Sequence, residues 1–309
     1  MFLHEDKVKF NAVILDVSKN LNIAFPIVLK DYYVFMLLKQ IAKNNPDAMF
    51  KGGTSLSKAY GLINRFSEDI DLNAIPSNPL SEGARVKFNH GVKDSFNTIG
   101  LTIKSNIRSK SDFNAFIANI PNMQRTTYLN DDIKVESVLR RKGRVLTCKY
   151  NTCWISNYIY DYYLRTTGNT QELEFYELTP FQMHVQDIYY TLCEKLIAVG
   201  NYYLRGKSER LSRHLYDITK LLGVGLDLSY LRSVFVEVVS YTRERGFDEA
   251  ILNGNNLEDC IRNALLIDFY KDDFINVTSK FIFEQISYDV CKKAVLELVN
   301  TGICETLSF

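Results

Sequence analysis

Apolar positions near the start of the chain repeat every three or four residues, which is the spacing of one helix face. The repeat is interrupted near Pro26, so two amphipathic helices are predicted between Lys7 and Lys43. A turn-forming run at residues 44–47 follows and leads into the short apolar run Ala48 to Phe50, which ends at two glycines. This succession predicts a strand that enters a tight turn.

From residue 68 onward the pattern changes to alternating polar and apolar residues, which is typical of half-buried strands. A helix is predicted from Pro79 to Ile99. The predicted strands are Glu68 to Leu72, Leu101 to Ile107, Phe113 to Ile120 and Ile133 to Leu139. Between Arg140 and Gly168, basic residues precede a tyrosine-rich run, and the pattern assigns no element there.

A second change of pattern occurs near Thr179 and Pro180. Threonine at an N-cap with proline at the first helical position predicts a helix start. Beyond it, apolar residues recur at helical steps to the end of the chain. We therefore predict an α+β fold in which residues 1–178 form an α/β domain, with a mixed sheet and N-terminal helices. Residues 179–309 are predicted to form a mostly helical domain.

Composition narrows the functional classes. The 309 residues carry 37 Lys and Arg against 36 Asp and Glu, a net charge of +1, which argues against a globally basic nucleic-acid binder. Apolar runs are too short to span a bilayer, and the first residues lack a signal-peptide pattern. The six cysteines contain no Cys-x-x-Cys pair, which disfavours a zinc site. A cytoplasmic protein with reduced thiols is expected.

The first chemically informative segment is the run from Lys51 to Ser55, which includes Gly52 and Gly53. A strand that passes through two glycines into a helix lets backbone N–H groups converge on an anion, and the absence of Cβ atoms allows a phosphate close approach. The hydroxyl of Thr54 or Ser55 is a candidate additional donor. The segment therefore predicts a phosphate site.

The second informative segment contains Asp69 and Asp71, two positions apart. On a strand, their side chains project from one face about 6.5–7 Å apart, while Ile70 and Leu72 point into the core. Two carboxylates on one face repel each other unless a cation lies between them. Mg²⁺ takes such carboxylates together with triphosphate oxygens, and two metal ions can clamp an in-line displacement.

The order of strand, Gly-Gly-Thr, helix and Asp-Ile-Asp strand is that of polymerase-β-like nucleotidyltransferases. The segments Lys51 to Lys58 and Arg65 to Leu72 closely resemble the AbiEii family of nucleotidyltransferase-like toxins, which includes the MenT toxins. Lys30-Asp31-Tyr32 is similar to an element that precedes the glycine motif in that family. The resemblance extends to about residue 220.

The resemblance implies a third carboxylate at Glu136, which would bind one metal ion and help to deprotonate an attacking hydroxyl. Alternation in Ile133 to Glu136 allows this side chain to leave the core face. The alternative is a solvent-facing glutamate on an edge strand. Asp131 and Asp132 are nearby competitors for the role.

The resemblance also covers two helical motifs that contain Lys195 and Asp217. Lys195 would offset triphosphate charge, and Asp217 would act as a base or orient Lys195. The alternative is a simple surface ion pair between Arg213 and Asp217, four residues apart on one helix. His214 is expected to be structural.

The resemblance implies an Mg²⁺-dependent nucleotidyltransferase toxin that uses two metal ions and an NTP, and that is held in check by a cognate antitoxin protein. The expected acceptor is a hydroxyl at the 3′ end of tRNA. The expected nucleotide-binding residues are Lys51, Gly52, Gly53, Thr54, Ser55, Arg65, Ser67 and Arg213. Alternatives are transfer to a protein or antibiotic hydroxyl, and a non-catalytic nucleotide-binding regulatory module.

One charge cluster bears on an RNA partner. Between Lys195 and Lys220, six basic residues stand against two acidic ones, an excess of four positive charges. Such a cluster can bind RNA phosphates or form a solvated helix face.

Overall fold

The computed structural model divides the chain into two compact units, which are described separately. It describes residues 1–75, 80–109, 112–123, 125–126, 129–140, 146, 148–168, 171–246, 248–252 and 254–304. The first unit comprises Met1–Tyr60, Ser67–Lys142 and Tyr150–Val185. The second comprises Gly61–Phe66, Gly143–Lys149 and Gln186–Phe309. The predicted division between residues 178 and 179 stays a prediction about folding domains.

The first unit is built on one mixed sheet. Its strands in the described residues are β1 (Ala48–Lys51), β2 (Ile70–Ala74), β3 (Ile103–Ser109), β4 (Phe113–Asn119), β5 (Asp132–Val138), β6 (Tyr150–Ile155) and β7 (Phe181–Gln186). Their order is β3-β4-β5-β2-β1-β7-β6. The β1–β7 and β2–β5 pairs are parallel, whereas β1–β2, β3–β4 and β4–β5 are antiparallel.

Helices cover this sheet. They are α1 (Lys7–Leu21), α2 (Phe25–Asn44), α3 (Gly52–Lys58), α4 (Glu82–Thr98), α5 (Tyr158–Thr166) and α6 (Gln171–Phe175). The predicted break is confirmed, since α1 ends at the left-handed Asn22 and Pro26 lies in the first turn of α2. The prediction that α2 is amphipathic is wrong. Residues 27–41 are buried throughout because α1, α4, α5 and β5 all pack around α2.

Candidate membrane spans were sought in the same helices. No single helix in the described ranges is long and apolar enough to cross a bilayer. Helices α1 and α2 taken together reach the required length and apolar composition, but the chain bends by 118° between them.

The predicted helix start at Thr179 and Pro180 is wrong. Strand β7 follows these residues, with Met183 and Val185 buried and His184 paired with Met49 of β1. The period-two burial of this short segment outweighs the local helix-start signal. The next helix begins only after Asp187, whose side chain accepts a hydrogen bond from the Tyr189 N–H.

The second unit is helical. Its helices in the described residues are α7 (Ile188–Leu204), α8 (Arg213–Leu222), α9 (Leu228–Arg245), α10 (Leu257–Leu266), α11 (Lys271–Asn276) and α12 (Tyr288–Asn300). Helix α7 packs against α8, α9 and α10, and α8 packs against α12. The predicted fold class, a mixed sheet with flanking helices followed by helices, is confirmed.

Candidate active site

The diglycine turn lies where β1 passes into α3. Gly52 has φ +80°, in the left-handed region that favours glycine. A Cβ atom at this position would lie 2.3 Å from Oδ2 of Asp71. Glycine is therefore required here both by the backbone conformation and by the close approach of the Asp71 carboxylate.

Strand register brings the predicted acidic residues together. Asp71 on β2 is paired with Lys51 on β1 and with Glu136 on β5, so these side chains share one face of the sheet. Asp69 immediately precedes β2, which begins at Ile70 and not at Glu68 as predicted. The alternative that Glu136 occupies an edge strand is wrong, because β5 lies between β4 and β2.

Of the two competing acids for the third carboxylate position, Asp132 has a side-chain partner and Asp131 has a backbone contact. The carboxylate of Asp132 lies 3.2 Å from Nζ of Lys104. The Asp131 carbonyl accepts a hydrogen bond from the Ile120 N–H. Glu136 is therefore the acid that strand register places beside Asp71.

The charges of this acidic cluster, defined as Asp69, Asp71 and Glu136, are incompletely balanced. Burial, followed by the carboxylates of Glu136 and Asp69, raises the pKa of Asp71 to about 7, against the opposing charges of Lys51 and Lys134. The part of this rise that Glu136 and Asp69 cause reflects repulsion among the three carboxylates. A cation bound there would relieve it.

Lys134 is the residue of this site that the sequence analysis missed. Its Nζ atom lies 3.0 Å from Oε1 of Glu136 and 3.7 Å from Oδ1 of Asp69. Burial alone would lower the pKa of Lys134, but the carboxylates of Asp69 and Glu136 raise it. The available signal was its position two residues before Glu136, on the same face of β5.

A divalent metal ion fits the chemistry of the acidic cluster. Carboxylate oxygens are the ligands that Mg²⁺ prefers, and strand register places the Asp71 and Glu136 carboxylates side by side on one face of the sheet. Within the described ranges, no group of three His, Cys, Asp or Glu side chains is already arranged around a metal position. Metal binding would therefore require these carboxylates to converge and the Lys134 ammonium to move.

The hydroxyls predicted to contact phosphate make contacts inside the protein. The Thr54 hydroxyl donates to the Asp69 carbonyl oxygen at 2.5 Å and lies 2.9 Å from the Ser67 hydroxyl. The Ser55 hydroxyl donates to the Gly52 carbonyl oxygen at 2.8 Å. These contacts fix the diglycine turn and the start of β2 relative to each other. The phosphate-binding role of both hydroxyls stays a prediction.

Two consecutive residues of α2 hold both segments of the site. Nζ of Lys30 lies 2.6 Å from the carboxylate of Glu68, the residue before Asp69. The carboxylate of Asp31 lies 2.5 Å from Nζ of Lys58, at the end of α3. Both pairs are buried. The Lys-Asp-Tyr segment therefore has a structural role that its sequence alone did not reveal.

The second unit contains a buried ion-pair triad, defined as Arg65, Lys195 and Asp217. Nε and Nη2 of Arg65 each lie 2.7 Å from a separate oxygen of the Asp217 carboxylate. Nζ of Lys195 lies 2.6 Å from Oδ2 of the same carboxylate. Asp217 is fully buried, and Arg65 and Lys195 are 3% and 6% exposed. The bidentate guanidinium and the ammonium together fix this carboxylate.

The triad favours an orienting role for Asp217 over a role as base. Burial alone would raise its pKa, but the charges of Arg65 and Lys195 hold that pKa well below its ordinary value. Burial lowers the pKa of Lys195, and the Asp217 carboxylate opposes this. The alternative of a surface ion pair is wrong because Asp217 is not at the surface. Arg65 contacts Asp217, so its predicted nucleotide contact stays a prediction.

The neighbouring charged residues contribute less to a basic surface than their number suggests. Lys195 is buried, while Arg205 and Lys220 lie 3.7 Å and 2.9 Å from the carboxylates of Glu249 and Glu284. Burial, followed by the charges of Lys195 and Arg213, holds the pKa of His214 well below its ordinary value. A neutral histidine stacked on Tyr202 agrees with the expected structural role.

Comparisons with known proteins agree with the predicted family. The matching family model is the nucleotidyl transferase AbiEii toxin of type IV toxin–antitoxin systems, over residues 37–287. A comparison with curated proteins finds no match. Among solved structures, the chain is similar to MenT4, a nucleotidyltransferase toxin from Mycobacterium tuberculosis H37Rv, with 16% identity and a TM-score of 0.52. That likeness covers 92% of this chain and 98% of MenT4, and at this identity it shows the fold. Because the family model spans most of the sequence, this chain belongs to the AbiEii nucleotidyltransferase toxin family of type IV toxin–antitoxin systems.

Proposed function

We propose that the protein transfers a nucleoside monophosphate from an NTP to an acceptor hydroxyl, with release of pyrophosphate. The observation that carries this proposal is the in-register placement of Asp71 beside Glu136, with the diglycine turn against the Asp71 carboxylate. Asp69, Asp71 and Glu136 would hold one or two Mg²⁺ ions. When bound, Mg²⁺ supplies Lewis-acid stabilisation of the phosphate oxygens and of the attacking oxygen.

The residues of the diglycine turn position the triphosphate in this proposal. The backbone at Gly52 and Gly53 offers N–H groups without Cβ atoms in front of them, so that phosphate oxygens can approach the main chain. Thr54 and Ser67 keep the turn adjacent to Asp69 through their hydroxyl contacts. Glu136 accepts the proton of the acceptor hydroxyl, or orients that hydroxyl for attack.

Lys195 supplies positive charge to the phosphates as pyrophosphate leaves, and Asp217 orients it. The support is the short contact between the two side chains and the deep burial of Asp217. Arg65 shares the same carboxylate and thereby keeps Asp217 ionised. We propose that these residues position Lys195, and that Arg213 and Lys51 add charge to the nucleotide site.

An RNA hydroxyl at the 3′ end of tRNA is the proposed acceptor, and a cognate antitoxin in the cytoplasm is the proposed partner. Family membership supports the antitoxin and the NTP. The positive excess between Lys195 and Lys220 supports RNA, although several of these charges have acidic partners.

The test is incubation of purified protein with each α-labelled NTP, Mg²⁺ and three acceptors, namely total tRNA, cell protein and an aminoglycoside. We expect label in tRNA with the wild type and its loss with Asp69→Asn or Asp71→Asn. Asp132→Asn is the matched control, since Asp132 lies on the same strand as Glu136 but pairs with Lys104. Label found only in protein or only in the antibiotic would show that the acceptor is not tRNA. The absence of label with every NTP would contradict the proposal.

A further inference from the structure

Strand β6 carries two exposed aromatic side chains at one end of the sheet. It is the last strand in the strand order of the described residues, so it lies at the sheet edge. Trp154, the single tryptophan of the chain, is 62% exposed, and Tyr150 is 43% exposed. Tryptophan side chains are mostly buried in folded proteins. These two rings, called here the aromatic pair of β6, are therefore candidate contacts for a partner.

Side-chain contacts show which face of the sheet the aromatic pair occupies. The centroid of the Tyr150 ring lies 4.9 Å from that of the His184 ring on β7. The Thr152 hydroxyl lies 3.4 Å from Nδ1 of the same histidine. Because side chains alternate along a strand, Trp154 lies on the face that Tyr150 and Thr152 share. Both aromatic rings are therefore on the face of His184.

Strand register extends this face to the acidic cluster. His184 is paired with Met49 on β1, and Lys51, two residues further along β1, is paired with Asp71 on β2. Paired residues, and residues two positions apart on one strand, lie on the same face of a sheet. The aromatic pair therefore shares a face with Asp71. Strand β6 lies three strands from β2, which at ~4.8 Å per strand is a separation of roughly 14 Å.

Positive charge lies next to this strand in the sequence. Residues 140–160 contain five basic residues and no acidic residue. Lys149, which immediately precedes Tyr150, is exposed. Basic side chains attract the phosphates of nucleic acids, and aromatic rings stack on unpaired bases. Exposed aromatic rings that follow a basic segment are therefore suited to a single-stranded nucleic acid.

We infer that the aromatic pair of β6 binds the unpaired end of an RNA acceptor, with bases stacked on Trp154 and Tyr150. The inference rests on the proposed function, in which the attacking hydroxyl at the end of the RNA lies at the acidic cluster. The nucleotides that precede this end would then cross the same face of the sheet toward β6. A double helix would not bind in this way, because its bases are already stacked on one another.

The test is a fluorescence titration of the full chain with a short single-stranded RNA, in EDTA and without NTP so that no transfer takes place. All tryptophan emission comes from Trp154, so quenching reports stacking at this side chain. We expect saturable quenching by the single strand and none by a blunt RNA duplex at the same concentration. Tyr150→Ala should weaken binding of the single strand at least about fivefold, because it removes one stacking ring.

Phe175→Ala is the matched control, because Phe175 is also 62% exposed in the first unit but lies on α6. Its affinity for the single strand should equal that of the wild type. A second pair of variants is followed by the anisotropy of labelled RNA. Trp154→Ala should bind at least about fivefold more weakly than the wild type, whereas Trp154→Phe keeps a ring and should bind more tightly than Trp154→Ala.

The inference is overturned if the single strand leaves the emission of Trp154 unchanged, if the duplex quenches equally, or if Tyr150→Ala and Trp154→Ala bind as well as Phe175→Ala. It is also overturned if the emission changes with protein concentration alone, since a second copy of the chain would then cover β6. Binding is measured without metal or NTP. Quenching by a protein that transfers no nucleotide would therefore support the surface and contradict only the proposed function.

Discussion

The acidic cluster of the first unit and the buried ion-pair triad of the second unit balance their charges in opposite ways. Three carboxylates at the sheet are opposed by Lys51 and Lys134, and the pKa of Asp71 is raised to about 7. In the triad, one carboxylate meets two cations, and its pKa is held well below the ordinary value. One cluster has excess negative charge, whereas the other compensates its carboxylate fully.

This difference indicates different roles: the acidic cluster is suited to bind a cation, whereas the triad holds its side chains in place. An acid that resists ionisation is stabilised by an added cation, so the acidic cluster is the candidate metal site. A buried, fully paired carboxylate costs stability when one partner is removed. The triad should therefore influence stability strongly and the acidic cluster activity strongly.

The largest expected effect is on activity. Asp71→Asn should reduce nucleotidyl transfer about a thousandfold, because it removes a proposed metal ligand worth several kcal/mol in the transition state. Stability should stay equal or rise, since the substitution removes repulsion from Glu136 and Asp69. Transfer of label and urea denaturation measure the two effects. Unchanged transfer would show that this acid is not part of the reaction.

The second effect is on stability in the triad. Asp217→Asn should lower the free energy of unfolding by about 3–5 kcal/mol, because it leaves Arg65 and Lys195 buried without their carboxylate. Glu258→Gln is the matched control. Its half-exposed pair with Arg262 should contribute no more than about 1 kcal/mol. Equal losses in the two variants, measured by urea denaturation, would contradict the contrast.

A comparison of Gly52 with Gly61, which both have positive φ, separates the effect of the close approach of Asp71 from the effect of the backbone conformation. Gly52→Ala and Gly61→Ala should each lose roughly 1–2 kcal/mol of stability for the left-handed conformation. At Gly61 nothing lies within 4 Å of an added Cβ, whereas at Gly52 the Asp71 carboxylate does. Gly52→Ala should therefore be the less stable variant and should also lose transfer activity. Similar behaviour of the two variants would refute the close-approach argument.

Stability should also depend on pH through Asp71. Its folded pKa of about 7 exceeds the ordinary value of 3.8, so the native state binds more protons between these limits. The contribution of this group to stability is then greatest at low pH and is lost as pH rises from about 4 to 7. The stability difference between wild type and Asp71→Asn in EDTA should fall over that window, by no more than about 1.4 kcal/mol per pH unit. A flat difference would contradict the raised pKa.

The smallest expected effect concerns the Lys134 ammonium, which lies beside the acidic cluster. Lys134→Gln should lower stability without metal by about 1 kcal/mol, because Asp69 and Glu136 lose their nearby cation. Mg²⁺ should then raise the melting temperature more in this variant than in the wild type. Lys104→Gln, which removes a cation from β3 beside Asp132, should leave the Mg²⁺ response unchanged. Identical Mg²⁺ responses in all three proteins would remove Lys134 from the site.

The sequence predicted those parts of the site that are local in the chain. Alternation placed Asp71 and Glu136 on strands, and the diglycine run predicted a turn before a helix. Each of these patterns depends only on residues within a few positions of one another. The elements that they predict are therefore present in the folded protein. The mixed sheet followed by helices could be predicted for the same reason.

The contacts that the sequence did not predict join residues far apart in the chain. Lys134 meets Asp69, and Lys30 meets Glu68, only because strand order and helix packing bring them together. The burial of Asp217 depends in the same way on Arg65, which is 152 residues away. The Thr179 and Pro180 signal failed because sheet pairing of the next six residues overrode a local preference.

Metal binding by the acidic cluster is tested directly by a titration of Mn²⁺, as a spectroscopic substitute for Mg²⁺, followed by electron paramagnetic resonance. The titration compares the wild type with Asp71→Asn and Asp132→Asn. Saturable Mn²⁺ binding is expected for the wild type and Asp132→Asn, and its loss is expected in Asp71→Asn. Equal Mn²⁺ binding by all three proteins, or none by the wild type in the presence of NTP, would contradict metal binding by the acidic cluster.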